Sequence, residues 1–165
     1  MSDEIQVERV KSLRTAFFYS LSENPEEEAW KNAFTWLKNK YLLNDYSKVR
    51  VFGRNIYPTE NTEPHGYAYY FTIAPEIQIE KNQKIYILPG GFYAILPCRG
   101  FVELSKNWPN MWEWVKISNY KYIGETKSEL GYELGYEEIV NWYEFFIEKS
   151  DMQIHFNLMI QLFEE

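Results

Sequence analysis

Two predicted helices share a local pattern, and this repeat constrains the fold more than any other feature of the chain. Residues 34–38 read FTWLK and residues 112–116 read WEWVK, so both follow the order aromatic–x–Trp–aliphatic–Lys. A tyrosine follows each within a few residues, at Tyr41 and at Tyr120. So short a match could occur by chance in any amphipathic aromatic helix. It supports a duplication only because the order of the surrounding elements also repeats.

The same order of elements occurs twice. Pro25 after Asn24 is typical of a helix start, and alternating apolar residues predict the strands. We expect strands over 5–21, 49–53 and 66–75 with a helix from Pro25 to about Tyr41, then strands over 84–96 (bent at 89–91), 137–147 and 153–163 with a helix over 102–118.

This order predicts an α+β fold of tandem, duplicated β-α-β-β units. We expect pseudo-two-fold symmetry, antiparallel sheets, two main helices and a central cleft where the units meet. The length fits a single domain over 1–165, with approximate halves 5–80 and 84–165.

Composition and charge exclude several classes of protein. The chain is 45% hydrophobic and 19% aromatic, enough for a packed core. A mean hydropathy of -0.48 and the lack of a long apolar run argue against a membrane span. Seventeen basic against 24 acidic side chains give a net charge of -7, which disfavours direct binding of nucleic acid. The acidic start without a signal peptide predicts a cytoplasmic protein, and the single cysteine agrees with a reducing compartment.

No motif for a cofactor or metal is present in the sequence. Gly90-Gly91 has neither the spacing nor the lysine of a phosphate loop. His65 and His155 are isolated and lack the spacing of metal ligands. Cys98, beside an arginine, is interpreted as a core residue rather than a nucleophile. We therefore expect no cofactor and no metal, and no catalytic residue is assigned.

Acidic residues within an aromatic segment are the best candidates for chemistry. Glu133, Glu137 and Glu138 lie among Tyr, Trp and apolar residues. In a strand, adjacent Glu137 and Glu138 point to opposite faces, so if one faces water the other points toward the interior. A buried carboxylate is costly unless it is paired or hydrogen-bonded, and a cationic ligand among ring faces would lower that cost. The alternative is that both are solvated or paired with a lysine or arginine.

Aromatic residues with polar tips are unusually frequent for a small two-layer domain. Each buried Tyr hydroxyl or Trp indole N–H needs a partner, so these rings suit a pocket wall as well as a core. The residues with this ambiguity are Tyr67, Tyr69, Tyr93, Trp108, Trp112 and Trp142.

Taken in order, five short motifs resemble those of GyrI-like effector-binding domains. These domains form the ligand-binding part of many AraC- and MerR-type multidrug regulators and also occur as standalone proteins. The resemblance covers about residues 7–163. The motifs are RVFG at 50–53 with Pro58, GYAYYF at 66–71, GGFYA at 90–94, the tryptophans at 108, 112 and 114, and YEE at 136–138.

The resemblance implies a central aromatic cleft with an acidic residue at its floor, which binds lipophilic and often cationic aromatic compounds. Glu137 matches the position of the family's acidic residue best, and Glu138 is its nearest rival. The implied ligand-binding set is completed by Tyr67, Tyr69, Tyr93 and Trp112, to which we add Trp142. Any role in transcription would act through another chain, since no helix-turn-helix fits before Ile5.

The sequence leaves two alternative functions open. Some relatives hydrolyse cyclopropane-bearing genotoxins, which would use Glu137 or Glu138 as a general base. Many standalone relatives carry a glutamate where this chain has Ala68, and its absence counts against hydrolysis; a tryptophan is common where Tyr70 stands. The other alternative is a protein-interaction role, such as inhibition of DNA gyrase.

Overall fold

The first half of the chain contains one helix between two pairs of strands. The computed structural model describes residues 5–40, 45, 48–56, 66–122, 127–128, 131–132 and 135–164. The predicted loop at 58–64 lies outside them, as do Tyr41, His65 and Glu133. The elements of this half are β1 (Gln6–Val10), β2 (Leu13–Ser20), α1 (Pro25–Asn39), β3 (Val51–Ile56) and β4 (Gly66–Thr72).

The second half follows the same plan with a longer insertion after its helix. A π-helical turn over Tyr143–Ile147 stands between its last two long strands. The elements are β5 (Ile85–Leu88), β6 (Gly91–Arg99), α2 (Gly100–Ile117), β7 (Tyr120–Tyr122), β8 (Lys127–Ser128), β9 (Gly131–Tyr132), β10 (Tyr136–Ile139) and β11 (His155–Glu164).

One antiparallel sheet joins both halves. Its strand order is β1-β6-β11-β10-β3-β4-β2-β5, with β7 also paired to β11, while β8 and β9 pair separately. The first half contributes the block β3-β4-β2 and the second the equivalent block β10-β11-β6. The blocks meet where β10 pairs with β3, in the register Glu137 opposite Gly53. This topology confirms the duplicated α+β fold.

The first strand of each half pairs with the other half. β1 pairs with β6, and β5 pairs with β2, although β1 and β2 are joined by two residues, as are β5 and β6. The two ends of the sheet must therefore approach each other. A Cβ on Gly90 would lie 2.6 Å from the backbone nitrogen of Ser12, so the two links are in direct contact. The sheet is thus curled into a half-barrel.

The two faces of the sheet carry separate apolar clusters. One cluster includes Ala33 of α1 and Met111 of α2 together with Tyr67 and Tyr69 of β4, and we call that side the helix face. The other cluster contains strand residues such as Tyr70 and lies inside the half-barrel; we call it the barrel face. Alternation along β4 matches the prediction, with Tyr67, Tyr69 and Phe71 on one side and Ala68 and Tyr70 on the other.

Three predicted strands differ from the structure. The strand predicted over 5–21 is divided at Lys11-Ser12, and the strand over 84–96 is divided at Pro89-Gly90, because each chain segment crosses between the two ends of the curled sheet. The strand predicted over 137–147 ends at Ile139. There the Asn141 side chain accepts a hydrogen bond from the His155 N–H (2.8 Å) and turns the chain toward the π-helical turn.

Candidate functional site

Glu137 lies at the junction of the two halves, in the middle of the sheet. It belongs to β10 and points to the helix face, where it is only 6% exposed. Its ladder neighbour on β3 is Gly53. Because strand residues alternate, this orientation places Glu138 on the opposite face.

Two neutral side chains from different elements bind the Glu137 carboxylate. The Tyr67 hydroxyl of β4 donates to Oε2 at 2.8 Å, and the Trp108 indole N–H of α2 donates to Oε1 at 2.9 Å. Within the described part of the chain, neither oxygen forms an ion pair. The negative charge of Glu137 is therefore stabilised by hydrogen bonds without a counter-ion from those residues.

Two glycines provide the space that these donors occupy. A Cβ on Gly53 would lie 2.1 Å from the Tyr67 hydroxyl oxygen, so the Tyr67 ring lies directly on the β3 backbone. A Cβ on Gly135 would lie 2.9 Å from the Trp108 ring. Any larger residue at either position would displace a donor of Glu137.

Burial raises the pKa of Glu137, while the hydrogen bonds from Trp108 and Tyr67 oppose that rise and the charge of Glu26 adds to it. Burial, and then the nearby Glu137 charge, raises the pKa of Tyr67 well above its usual value. Tyr67 therefore remains protonated near neutral pH and keeps donating its hydrogen bond.

Aromatic rings extend from Glu137 in two directions. Toward α1, the rings of Tyr67 and Tyr69 are 5.0 Å apart in an edge-on arrangement, and Trp30 contacts Tyr69 edge-on at 5.5 Å. Toward α2, Trp108 stacks on Trp112 at 6.1 Å. The carboxylate is therefore surrounded by ring faces and edges from both halves.

The structure brings four of the predicted site residues together on the helix face: Glu137, Tyr67, Tyr69 and Trp112. Trp112 stacks on Trp108, and it is Trp108 that donates the hydrogen bond to Glu137. Trp142 lies on the same face but deeper in the core, where its indole N–H donates to the Val49 carbonyl at 3.0 Å.

Two other predicted site residues, Glu138 and Tyr93, lie on the barrel face. Arg50 forms a bidentate ion pair with Glu138, with distances of 2.8 Å from Nε and 3.0 Å from Nη2. Tyr93 is fully buried there, and its hydroxyl donates to the Pro89 carbonyl at 2.6 Å. The structure therefore separates Glu138 and Tyr93 from the surroundings of Glu137.

Sequence reasoning missed three residues that shape this site. Trp108 is one of the ambiguous aromatic residues of the sequence and is not part of the predicted ligand-binding set. Gly53 and Gly135 are not among the residues predicted to form a site. A glycine inside a strand often marks close approach by another group, and this signal was available for Gly53.

Other kinds of site have less support in the structure. Among the residues with described positions, no group of three or more His, Cys, Asp or Glu side chains could hold a metal ion. Cys98 is buried, and its sulfur accepts a hydrogen bond from the Asn107 amide at 3.4 Å. No helix in the described ranges has both the length and the apolar character needed to cross a membrane.

The sequence matches a known family over most of its length. The model of the GyrI-like small molecule binding domain matches residues 4–141. This match agrees with the resemblance carried by the five motifs. None of the curated protein sequences is significantly similar to the chain.

Solved structures similar to this one have very different sequences. The C-terminal domain of EcmrR superposes with a TM-score of 0.65 at 8% identity, and the match covers 98% of both chains. Against EcmrR in its complex with DNA, the chain spans only 58% of the other protein. A hydrolase from Listeria innocua superposes with a TM-score of 0.62 at 8% identity, covering 98% of this chain and 93% of that one. At such low identity these likenesses show the fold alone.

Proposed function

Because the chain belongs to the family of GyrI-like small molecule binding domains, we propose that it binds hydrophobic, cationic aromatic compounds on its helix face. The observation that carries this proposal is the buried carboxylate of Glu137, which is held by two neutral donors and surrounded by aromatic rings. The proposed site consists of Glu137, Tyr67, Tyr69, Trp108 and Trp112.

The charge of Glu137 supports a preference for cations. A carboxylate inside a protein is costly when no positive group is near, and the raised pKa of Glu137 reflects this cost of burial. A cationic ligand supplies the missing positive charge and lowers the cost. A neutral ligand of the same shape lacks this charge–charge attraction to the carboxylate.

The aromatic surroundings support a preference for flat, apolar ligands. Tyr and Trp rings offer large apolar areas, and their faces attract cations by about 0.5–2 kcal/mol per contact. Trp30 and Trp112 are half-buried on the two sides of Glu137, so their rings keep area available for contact. The net charge of -7 favours such cations over the phosphates of nucleic acid.

Isothermal titration with a panel of planar cationic dyes tests the proposal. We expect the wild-type chain to bind several of them, and we expect Glu137→Gln to weaken binding about tenfold or more, because Gln keeps the shape but removes the charge. The proposal fails if no dye binds, or if the Gln variant binds each dye as tightly as the wild type.

Glu138→Gln is the matched control. It removes the same charge from the neighbouring residue, whose carboxylate faces the barrel interior and is paired with Arg50. We expect this variant to bind the dyes with nearly wild-type affinity. Equal losses in both variants would assign the effect to net charge rather than to the site.

A second candidate function is hydrolysis of cyclopropane-containing electrophiles, and one observation favours it. Glu137 is buried with a raised pKa beside a tyrosine hydroxyl, which is the environment of many general acids and bases. Glu138 is paired with Arg50 on the other face, so only Glu137 would serve as the base. Mass spectrometry of a cyclopropane-bearing alkylator incubated with the protein tests this function. A water adduct that forms with wild type but not with Glu137→Gln supports it, and unchanged substrate rejects it for that compound.

A further inference from the structure

Glu26 is an exposed acidic residue on the helix that packs beside the proposed site. It lies in the first turn of α1, four residues before Trp30, and residues at this spacing share one face of a helix. Its neighbours are engaged elsewhere: Glu27 pairs with Lys31 at 3.0 Å, and Glu28 accepts a hydrogen bond from Ser20 at 3.0 Å. Among the residues that the structure describes, Glu26 has no ion pair or hydrogen bond.

A continuous row of rings extends from Trp30, on the same helix face as Glu26, to Glu137. Trp30, on the Glu26 face of α1, contacts Tyr69 with ring centroids 5.5 Å apart. Tyr69 contacts Tyr67 at 5.0 Å, and the Tyr67 hydroxyl binds Glu137 at 2.8 Å. One carboxylate is therefore buried at the inner end of this row, and the other is exposed at its outer end.

The electrostatic field supports this arrangement. Burial is the main cause that raises the pKa of Tyr69, and the charges of Glu26 and then Glu137 raise it further. Glu26 also contributes to the raised pKa of Glu137 itself. Both carboxylates therefore act on the same aromatic row.

The α2 side of Glu137 has no equivalent carboxylate among the described residues of that helix. Glu103 accepts a hydrogen bond from the Arg99 backbone N–H at 2.6 Å, and Glu113 pairs with Lys116 at 2.7 Å. The negative charge around the site is thus biased toward α1, in spite of the internal symmetry of the fold.

We propose, building on the proposed function, that the preferred ligands are elongated aromatic dications, with one positive charge at Glu137 and the second at Glu26. Three rings lie between the two charges: Trp30 is half-buried and offers ring area to the ligand, whereas Tyr69 and Tyr67 are only 5% and 7% exposed and continue the row inward to Glu137. A monocation uses the inner carboxylate alone. A dication of the same chemistry adds an exposed charge pair at the rim.

The test compares a dication with its half-molecule by isothermal titration. The probes are pentamidine, which has two benzamidinium groups joined by a five-carbon chain, and 4-pentyloxybenzamidine, which has one. We expect Glu26→Gln to weaken pentamidine binding about fivefold, as for an exposed charge pair, and to leave the half-molecule unchanged. High salt should abolish this difference, because exposed charges are screened.

Glu27→Gln is the matched control, since it removes the same charge from the same helix turn. We expect it to leave the affinity for both probes unchanged. The dication proposal is overturned if Glu26→Gln affects neither probe, affects both equally, or behaves like Glu27→Gln. If the half-molecule still depends on Glu137 in that case, the proposed function stands while this inference fails; if wild type binds neither probe, both fail.

Discussion

At the scale of single residues, the Glu137 site depends on residue 53 being a glycine. Tyr67 can reach the carboxylate because its ring lies on the bare backbone of Gly53, which is the ladder partner of Glu137. The hydroxyl satisfies an oxygen that would otherwise be buried without a partner. Gly53, which carries no functional group, thus determines where the Tyr67 hydroxyl can bind the carboxylate.

We predict that Gly53→Ala lowers the free energy of unfolding by about 2 kcal/mol, because its methyl group would overlap the Tyr67 ring and force it away from Glu137. It should also weaken the binding of cationic dyes. Urea denaturation and isothermal titration measure the two effects.

Tyr67→Phe provides the comparison for this variant. It keeps most of the ring but removes the hydroxyl that donates to Glu137. Both changes break the same hydrogen bond, so the double variant should lose less stability than the sum of the single losses. Fully additive losses would mean that Gly53 does not act through Tyr67.

Alternation along the strand predicts that Glu137 and Glu138 point to opposite faces, but it leaves open whether either carboxylate is buried. The hydrogen-bond partners of Glu137 could not be predicted from the sequence, because Tyr67 and Trp108 are 70 and 29 residues away along the chain. Nothing local to residues 136–139 indicates which donors the fold brings there. The family resemblance favoured Glu137, and the structure places that residue on the helix face.

At the scale of elements, patterns of period 3.6 gave the two helices nearly to their ends. α1 and α2 begin and end within about two residues of their predicted limits, apart from Tyr41, which lies outside the described residues. The boundaries of the strands were harder to predict, because β1 and β2 are both alternating segments with only two residues between them. Their separation follows from pairing with opposite ends of the sheet, which is a long-range property.

The end of β10 could not be predicted from apolar pattern. Residues 143–147 are rich in aromatic side chains and read as a strand, yet they form a π-helical turn. The turn is held from outside by Asn141, which accepts from the His155 N–H and donates to the Gln153 carbonyl at 2.9 Å. These partners lie on the far side of the turn.

We predict that Asn141→Ala lowers the free energy of unfolding by about 2 kcal/mol, because it removes two hydrogen bonds from a buried residue that joins β10 to β11. Hydrogen exchange at the His155 amide should become faster. Urea denaturation and exchange measured by NMR test both expectations.

Asn157→Ala is the control, since Asn157 makes a long 3.4 Å bond to Glu138 from a half-buried position on β11. Its loss of stability should be smaller. If the two alanine variants lose the same stability, the Asn141 hydrogen bonds do not hold the turn.

At the scale of the whole molecule, duplication places the site on the line where the halves meet. β3 and β10 are equivalent strands, and their pairing brings Glu137 of one half beside Gly53 and Tyr67 of the other. The exchange of β1 and β5 between halves ties the two units together at the opposite side of the half-barrel. The site is therefore complete only when both halves are folded.

On the proposed function, the helix face presents an ionisable carboxylate to a cationic ligand. Methyltriphenylphosphonium is a suitable probe, because its charge does not depend on pH. A bound cation favours the ionised form of Glu137, whereas burial has raised the pKa of that group in the free protein. Affinity should therefore rise as pH increases from about 4.5 through the raised pKa, and it should level off above it.

The most direct measurement is the affinity for methyltriphenylphosphonium across this pH range, in wild type and in Glu137→Gln. We predict a clear rise with pH in the wild type, and a weaker affinity that does not change with pH in the variant. A wild-type affinity that is independent of pH, or a variant with the same rise, would rule out that the Glu137 charge binds the cation.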